Sequence, residues 1–110
     1  MNQFKLLDKC MTLYSRTVLI TTRVPKKFKM NYVKVLQNLA EDVYMSVYRG
    51  NNLDNDNKIN MFKHAYESSK IYEQFLIQAQ IDECLTIEQQ CTLADILNEV
   101  LRILNSLIKK

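Results

Sequence analysis

Glycine and proline occur once each in this chain of 110 residues, at Gly50 and Pro25, and tryptophan is absent. Sheet proteins need glycine, asparagine and proline at their many turns, whereas helix interiors exclude glycine and proline. The scarcity therefore predicts long helices with few connections. A single glycine also excludes a glycine-rich phosphate loop. No apolar run approaches the roughly 18–20 residues that cross a bilayer, so no membrane span is expected. The N-terminus, with Lys5, Asp8 and Lys9, lacks the apolar stretch and small-residue cleavage site of a signal peptide. The three cysteines, Cys10, Cys84 and Cys91, are an odd number scattered among helical apolar positions. They read as reduced thiols of a cytoplasmic protein, not as a disulfide framework.

Three breaks divide what remains. At Arg23-Val24-Pro25-Lys26-Lys27, proline forces Val24 out of the α region and then suits the first turn of a new helix. Gly50 can end a helix in the left-handed conformation, and the Asn/Asp cluster over residues 51–57 favours turns and caps. Thr86 and Gln89 have the spacing of a capping box. The predicted helices cover residues 3–22, 26–49, 56–82 and 87–108. Short connections between long helices force antiparallel neighbours, so the expected fold is all-α: one domain over residues 1–110, an antiparallel up-down-up-down four-helix bundle.

The two terminal helices carry more apolar surface than one seam requires. Phe4, Leu7, Met11, Tyr14 and Val18 form one stripe of the first helix; Leu6, Cys10, Leu13, Thr17 and Ile20 form a second, about 120° away. In the last helix the stripes are Ala94, Leu97, Leu101, Leu104, Ile108 and Leu93, Ile96, Val100, Ile103, Leu107. Either each helix faces two neighbours of its own bundle, or one seam is left for self-association. We favour a homo-oligomer.

Little supports catalysis. His64 is the sole histidine and has no orienting partner evident in the sequence. Cysteines seven residues apart without companion ligands do not make a zinc site, and no Glu-x-x-His pair of a bundle metalloprotein is present. The acids Glu41, Asp42, Glu67, Glu73, Asp95 and Glu99 read as solvated faces. No enzyme, metal or cofactor is expected.

Charge is distributed unevenly. Residues 1–34 hold Lys5, Lys9, Arg16, Arg23, Lys26, Lys27, Lys29 and Lys34 against Asp8 alone, a balance of +7. Residues 35–101 hold four basic and eleven acidic side chains, a balance of −7, and Arg102, Lys109 and Lys110 follow. Projected on a helix, Lys5, Lys9, Arg16 and Arg23 fall within about 40° of one another and span roughly 27 Å. A ridge of one sign can follow a phosphate backbone and makes affinity salt-dependent; it is equally the solvated face that any bundle helix needs.

The stretch Val24-Pro25-Lys26-Lys27-Phe28-Lys29, followed by a helix over residues 36–49 that ends at Asn51-Asn52, resembles the entry to the second helix of a known four-helix-bundle family. That family comprises the accessory variability determinants of diversity-generating retroelements and the proteins encoded in intervening sequences of large-subunit ribosomal RNA genes. Residues 93–104, Leu-Ala-Asp-Ile-Leu-Asn-Glu-Val-Leu-Arg-Ile-Leu, are similar to the family's last helix. The chain departs at Leu101, where the family often has glycine, at Asn105 and Ser106, where it has paired small residues, and at Leu107, where it has tryptophan. The resemblance implies a non-enzymatic accessory protein with a basic surface. It would form a ring-like homopentamer and bind a reverse transcriptase and its template RNA in support of mutagenic retrohoming. It places Lys26, Lys27 and Lys29 at the basic corner and Arg102 at the arginine of the last-helix motif. The alternative within the family is a homo-oligomeric interaction bundle of unknown role, like the intervening-sequence proteins.

Overall fold

Four helices account for most of the chain in the computed structural model, which describes residues 2–109, with side chains from Phe4 onward. They are α1 (Asn2–Thr21), α2 (Lys34–Asn51), α3 (Asn55–Ile81) and α4 (Ile87–Ile108). α1 packs on α2 and α4, and α3 packs on the same two, so α1 and α3 lie on a diagonal of the bundle. The molecule measures 43 × 21 × 19 Å. Among the described residues no strand is present, and no helix is long and apolar enough to cross a membrane.

The core divides lengthwise into two clusters. One, at the end where α1 meets α2, gathers Leu13, Tyr32, Leu36, Tyr72, Leu76, Leu85, Leu93 and Leu97. The other gathers Leu6, Cys10, Val43, Val47, Phe62, Val100 and Leu104. Burial pushes the Cys10 thiol up to about 12, so it stays protonated and packs as a small apolar group. One polar chain crosses the core diagonal: Thr17 Oγ1 donates to the Leu13 carbonyl at 2.6 Å, so the Tyr72 hydroxyl, 2.7 Å away, must be the donor to Thr17.

Both stripes of α4 are absorbed within the bundle, where the helix packs on α1 and α3. Leu93, Leu97, Val100, Ile103 and Leu104 are buried, and Ala94, Ile96, Leu101, Leu107 and Ile108 half-buried. On α1 the stripe Leu6, Cys10, Leu13, Thr17 faces the core, while Phe4 and Met11 of the other remain 72% and 50% exposed. The surplus apolar surface inferred for both terminal helices is thus real on α1 alone.

The helix ends follow their local chemistry, with three departures from expectation. α4 begins with the capping box: Gln89 N–H donates to Thr86 Oγ1 at 3.1 Å and Thr86 N–H to Gln89 Oε1 at 3.0 Å. The helix expected from residue 26 instead opens with a 3₁₀ turn at Lys26–Phe28 and a π-helical segment at Lys29–Val33, before α2 proper. Gly50 does not adopt a left-handed conformation; it lies buried inside α2, and positive φ occurs at Asn55 (52°) and Glu83 (65°). Glu83 follows the α3 cap in a Schellman arrangement, its N–H donating to Gln80 O at 3.1 Å while Cys84 N–H donates to Ala79 O at 2.8 Å.

A left-handed conformation costs a residue with a Cβ about 1–2 kcal/mol, and a carboxylate at a helix C-terminus opposes the helix dipole. Glu83→Gly removes both penalties and returns part of the gain as unfolded-chain entropy. We expect a net stabilisation of ~0.5–1 kcal/mol, read as a higher urea midpoint with an unchanged slope.

Candidate nucleic-acid interface

The basic residues form two separate clusters, not one ridge. Near one end, Arg102 and Glu99 pair at 2.8 Å on α4. The Arg102 guanidinium holds the Glu99 carboxyl below its usual range, with Lys5 and Lys9 adding to the effect. Lys5, Lys9 and Arg102 therefore share one carboxylate, which offsets part of their charge. Arg16 lines a shallow groove with Asp8, Met11, Thr12 and Ser15, so an acid interrupts the line there. Arg23 lies beyond the end of α1, in the turn, where its N–H donates to the Ile20 carbonyl. A continuous helical projection through residue 23 does not hold, because Pro25 has already ended the helix.

The second cluster sits where α1 turns into α2. Lys26, Lys29 and Lys34 line a groove of about 330 Å³ together with Thr21, Thr22, Val24, Val33 and Gln37. No carboxylate is among these residues, and none of the three lysines forms a salt bridge among the described residues. The polar floor is ordered: Gln37 Nε2 donates to Thr21 Oγ1 at 2.8 Å, and Thr21 Oγ1 donates to Thr17 O at 2.6 Å. Lys27 faces elsewhere, with its Nζ 5.1 Å from the centroid of the Phe28 ring.

The backbone explains why three lysines converge. A regular α-helix places residues 26, 29 and 34 across a wide arc. The 3₁₀ turn and the wider π segment alter the twist between them, the Lys34 N–H reaching back five residues to the Lys29 carbonyl. Lysine spacing alone could not reveal this convergence; Pro25 marked only where the turn begins. Three ammonium groups that form no salt bridge among the described residues, around a groove without a carboxylate, can hold an anion such as phosphate as point charges.

Of the acids, Glu41, Glu67 and Asp95 are exposed and Asp42, Glu73 and Glu99 half-buried. Asp42, on α2, accepts a hydrogen bond from Ser68 Oγ, and His64 Nε2 lies 2.9 Å from the same carboxylate, so His64 does have a partner. The order differs from that of a nucleophile and base, since the serine hydroxyl is directed at the carboxylate and not at the imidazole. The cluster ties α2 to α3. Among the described residues no group of three His, Cys, Asp or Glu is placed to hold a metal.

No protein-family model and no curated protein matches the chain. A solved structure is similar throughout: a protein with unknown function from the S23 ribosomal protein family of Bacteroides thetaiotaomicron VPI-5482. It is 20% identical, with a TM-score of 0.87 over 100% of this chain and 100% of that one. At that identity the likeness shows a common all-helical, four-helix fold.

Proposed function

We propose that this chain is a non-enzymatic accessory protein that binds RNA at the corner between α1 and α2. The observation that carries the reading is the groove of Lys26, Lys29 and Lys34, which lacks any lining carboxylate. The sequence resemblance supplies the finer assignment: the RNA is the template of a diversity-generating retroelement, and the protein partner is its reverse transcriptase. The ribosomal name borne by the family of the similar structure is compatible with RNA as the ligand class.

The same reading includes assembly with further copies, in the ring-like pentamer that the resemblance implies. Its support is the apolar surface left open on α1 at Phe4 and Met11 and on α3 at Ile71, Ile77 and Ile81. That surface also favours the second reading, a homo-oligomeric interaction bundle like the intervening-sequence proteins. The readings part on nucleic acid.

The test is titration of purified protein with single-stranded RNA over a range of salt, alongside pull-down of a reverse transcriptase encoded beside the gene. RNA affinity should fall log-linearly with salt, and the polymerase should be retained. Absent or salt-independent RNA binding, with a stable oligomer in light scattering, would leave the interaction bundle as the function.

A further inference from the structure

A second groove shares a wall with the basic one and has the opposite character. It measures about 560 Å³ and lies between the entry to α2 and the exposed flank of α3. Its walls are Met30, Tyr32, Val35 and Phe75, and its amides come from Asn31, Gln74 and Gln78; none of these is charged. The two grooves interleave along the chain, with Lys29, Val33 and Lys34 on one side and Met30, Asn31, Tyr32 and Val35 on the other. They therefore flank one helical segment and lie about one helix diameter apart, ~10 Å. Lys29 and Lys34 on the basic side and Met30 and Asn31 on the other are all exposed, so cations and the uncharged groove adjoin on the same segment.

The chemistry of the uncharged groove is that of a base site rather than a phosphate site. A carboxylate stands beside it: Asp82 accepts hydrogen bonds from the Tyr32 hydroxyl and from Gln78 Nε2, the latter at 3.1 Å. A phosphate would be repelled there, whereas a neutral ring would not. The contact with Asp82 uses one Gln78 N–H and leaves the amide oxygen as an acceptor. Asn31 and Gln74 are exposed and offer both donors and acceptors. Phe75 is half-buried and fixed by the core beneath it, and Met30 is 67% exposed above the groove. Flat apolar walls and neutral amides are what an unstacked nucleobase needs, with its faces on the walls and its edge on the amides.

We infer that the groove of Met30, Phe75, Asn31, Gln74 and Gln78 receives an unpaired base of the same RNA whose phosphates lie on Lys26, Lys29 and Lys34. The inference rests on the RNA-binding reading and names its substrate class: single-stranded, not duplex, RNA. In a duplex the bases are stacked and paired, so only the phosphate contacts remain.

The test compares oligoadenylate with a blunt RNA duplex of the same length, using wild type, Asn31→Ala/Gln74→Ala, Phe75→Leu, and the alanine variant of the three lysines. The wild type should prefer the single strand. Asn31→Ala/Gln74→Ala and Phe75→Leu should each weaken single-strand binding about tenfold, leaving duplex affinity and the salt slope unchanged. The asparagine and glutamine are surface residues, so that variant keeps the test valid if Phe75→Leu misfolds. Unchanged single-strand affinity in the groove variants, with loss in the lysine variant, overturns the base site and spares the RNA reading. A shift in sedimentation without a change in RNA affinity overturns it in favour of a contact between copies. Failure of the wild type to bind either RNA removes both.

Discussion

Alanine at Lys26, Lys29 and Lys34 together should lower affinity for single-stranded RNA by about 100-fold at 0.1 M salt and flatten the salt dependence by about two units of log-log slope. The magnitude follows from counterion release. Each phosphate neutralised on a single strand contributes roughly 0.7 to the slope, and three contribute about 2.1. At 0.1 M salt, one decade below the 1 M reference, that slope corresponds to two powers of ten in affinity. The three side chains are exposed and line one groove, so their removal leaves the core intact. Unchanged far-ultraviolet circular dichroism would verify this. Alanine at Lys5, Lys9 and Arg102 serves as the control of equal charge. Glu99 already offsets part of that cluster, so its loss should cost less than tenfold. Equal effects of the two triple variants would mean that net charge, not the corner groove, governs binding.

The second large effect is on stability. Gly50→Ala destabilises the bundle, although alanine is the better helix former by about 1 kcal/mol. A Cβ at residue 50 would stand 2.7 Å from Phe62 Cε1, 3.0 Å from its Cδ1 and 3.3 Å from Met61 Cβ. The Phe62 ring cannot step aside, because it is buried against Val43, Val47, Val100 and Leu104. A contact this short falls in the upper half of the ~1–3 kcal/mol that overpacking typically costs, so after the helix gain of about 1 kcal/mol we expect a net loss of about 1–2 kcal/mol. The melting temperature should drop by roughly 3–8 °C. Phe62→Leu opens space in the same place at a cost of its own. The double variant should therefore be more stable than the sum of the single effects predicts, by about 1 kcal/mol. Strict additivity in a denaturant-based double-mutant cycle would refute the steric explanation.

This glycine shows why a residue type is not a role. In sequence, Gly50 before a run of asparagine and aspartate reads as a helix terminator, and the helix does end at Asn51. Its conformation is nevertheless ordinary, and what demands glycine is the Phe62 ring of the next helix. Conversely, the strained left-handed position after α3 is filled by Glu83, a residue with no turn preference to announce it. Asp42 and His64 give the same lesson: 22 positions apart, they show no link in sequence, and only the packing of α2 on α3 brings them to 2.9 Å.

Sequence alone determined the helical class, three of the four helix spans to within a residue, the antiparallel order, and the capping box that starts α4. These depend on period, breakers and caps, all of which act over a few residues. Tertiary structure decided which apolar stripes are hidden, since burial depends on how closely the neighbours sit against each face of a helix. α1 and α4 each pack on two helices, yet α4 shows almost none of its surplus, while α1 keeps Phe4 and Met11 in the open. It also decided the candidate site. A regular helical projection gave one long basic ridge, but Pro25 and the 3₁₀ and π turns that follow it change the twist, and Glu99 approaches from another helix. Those contacts leave Lys26, Lys29 and Lys34 together at one corner and set a carboxylate, Glu99, against the cations at the other end.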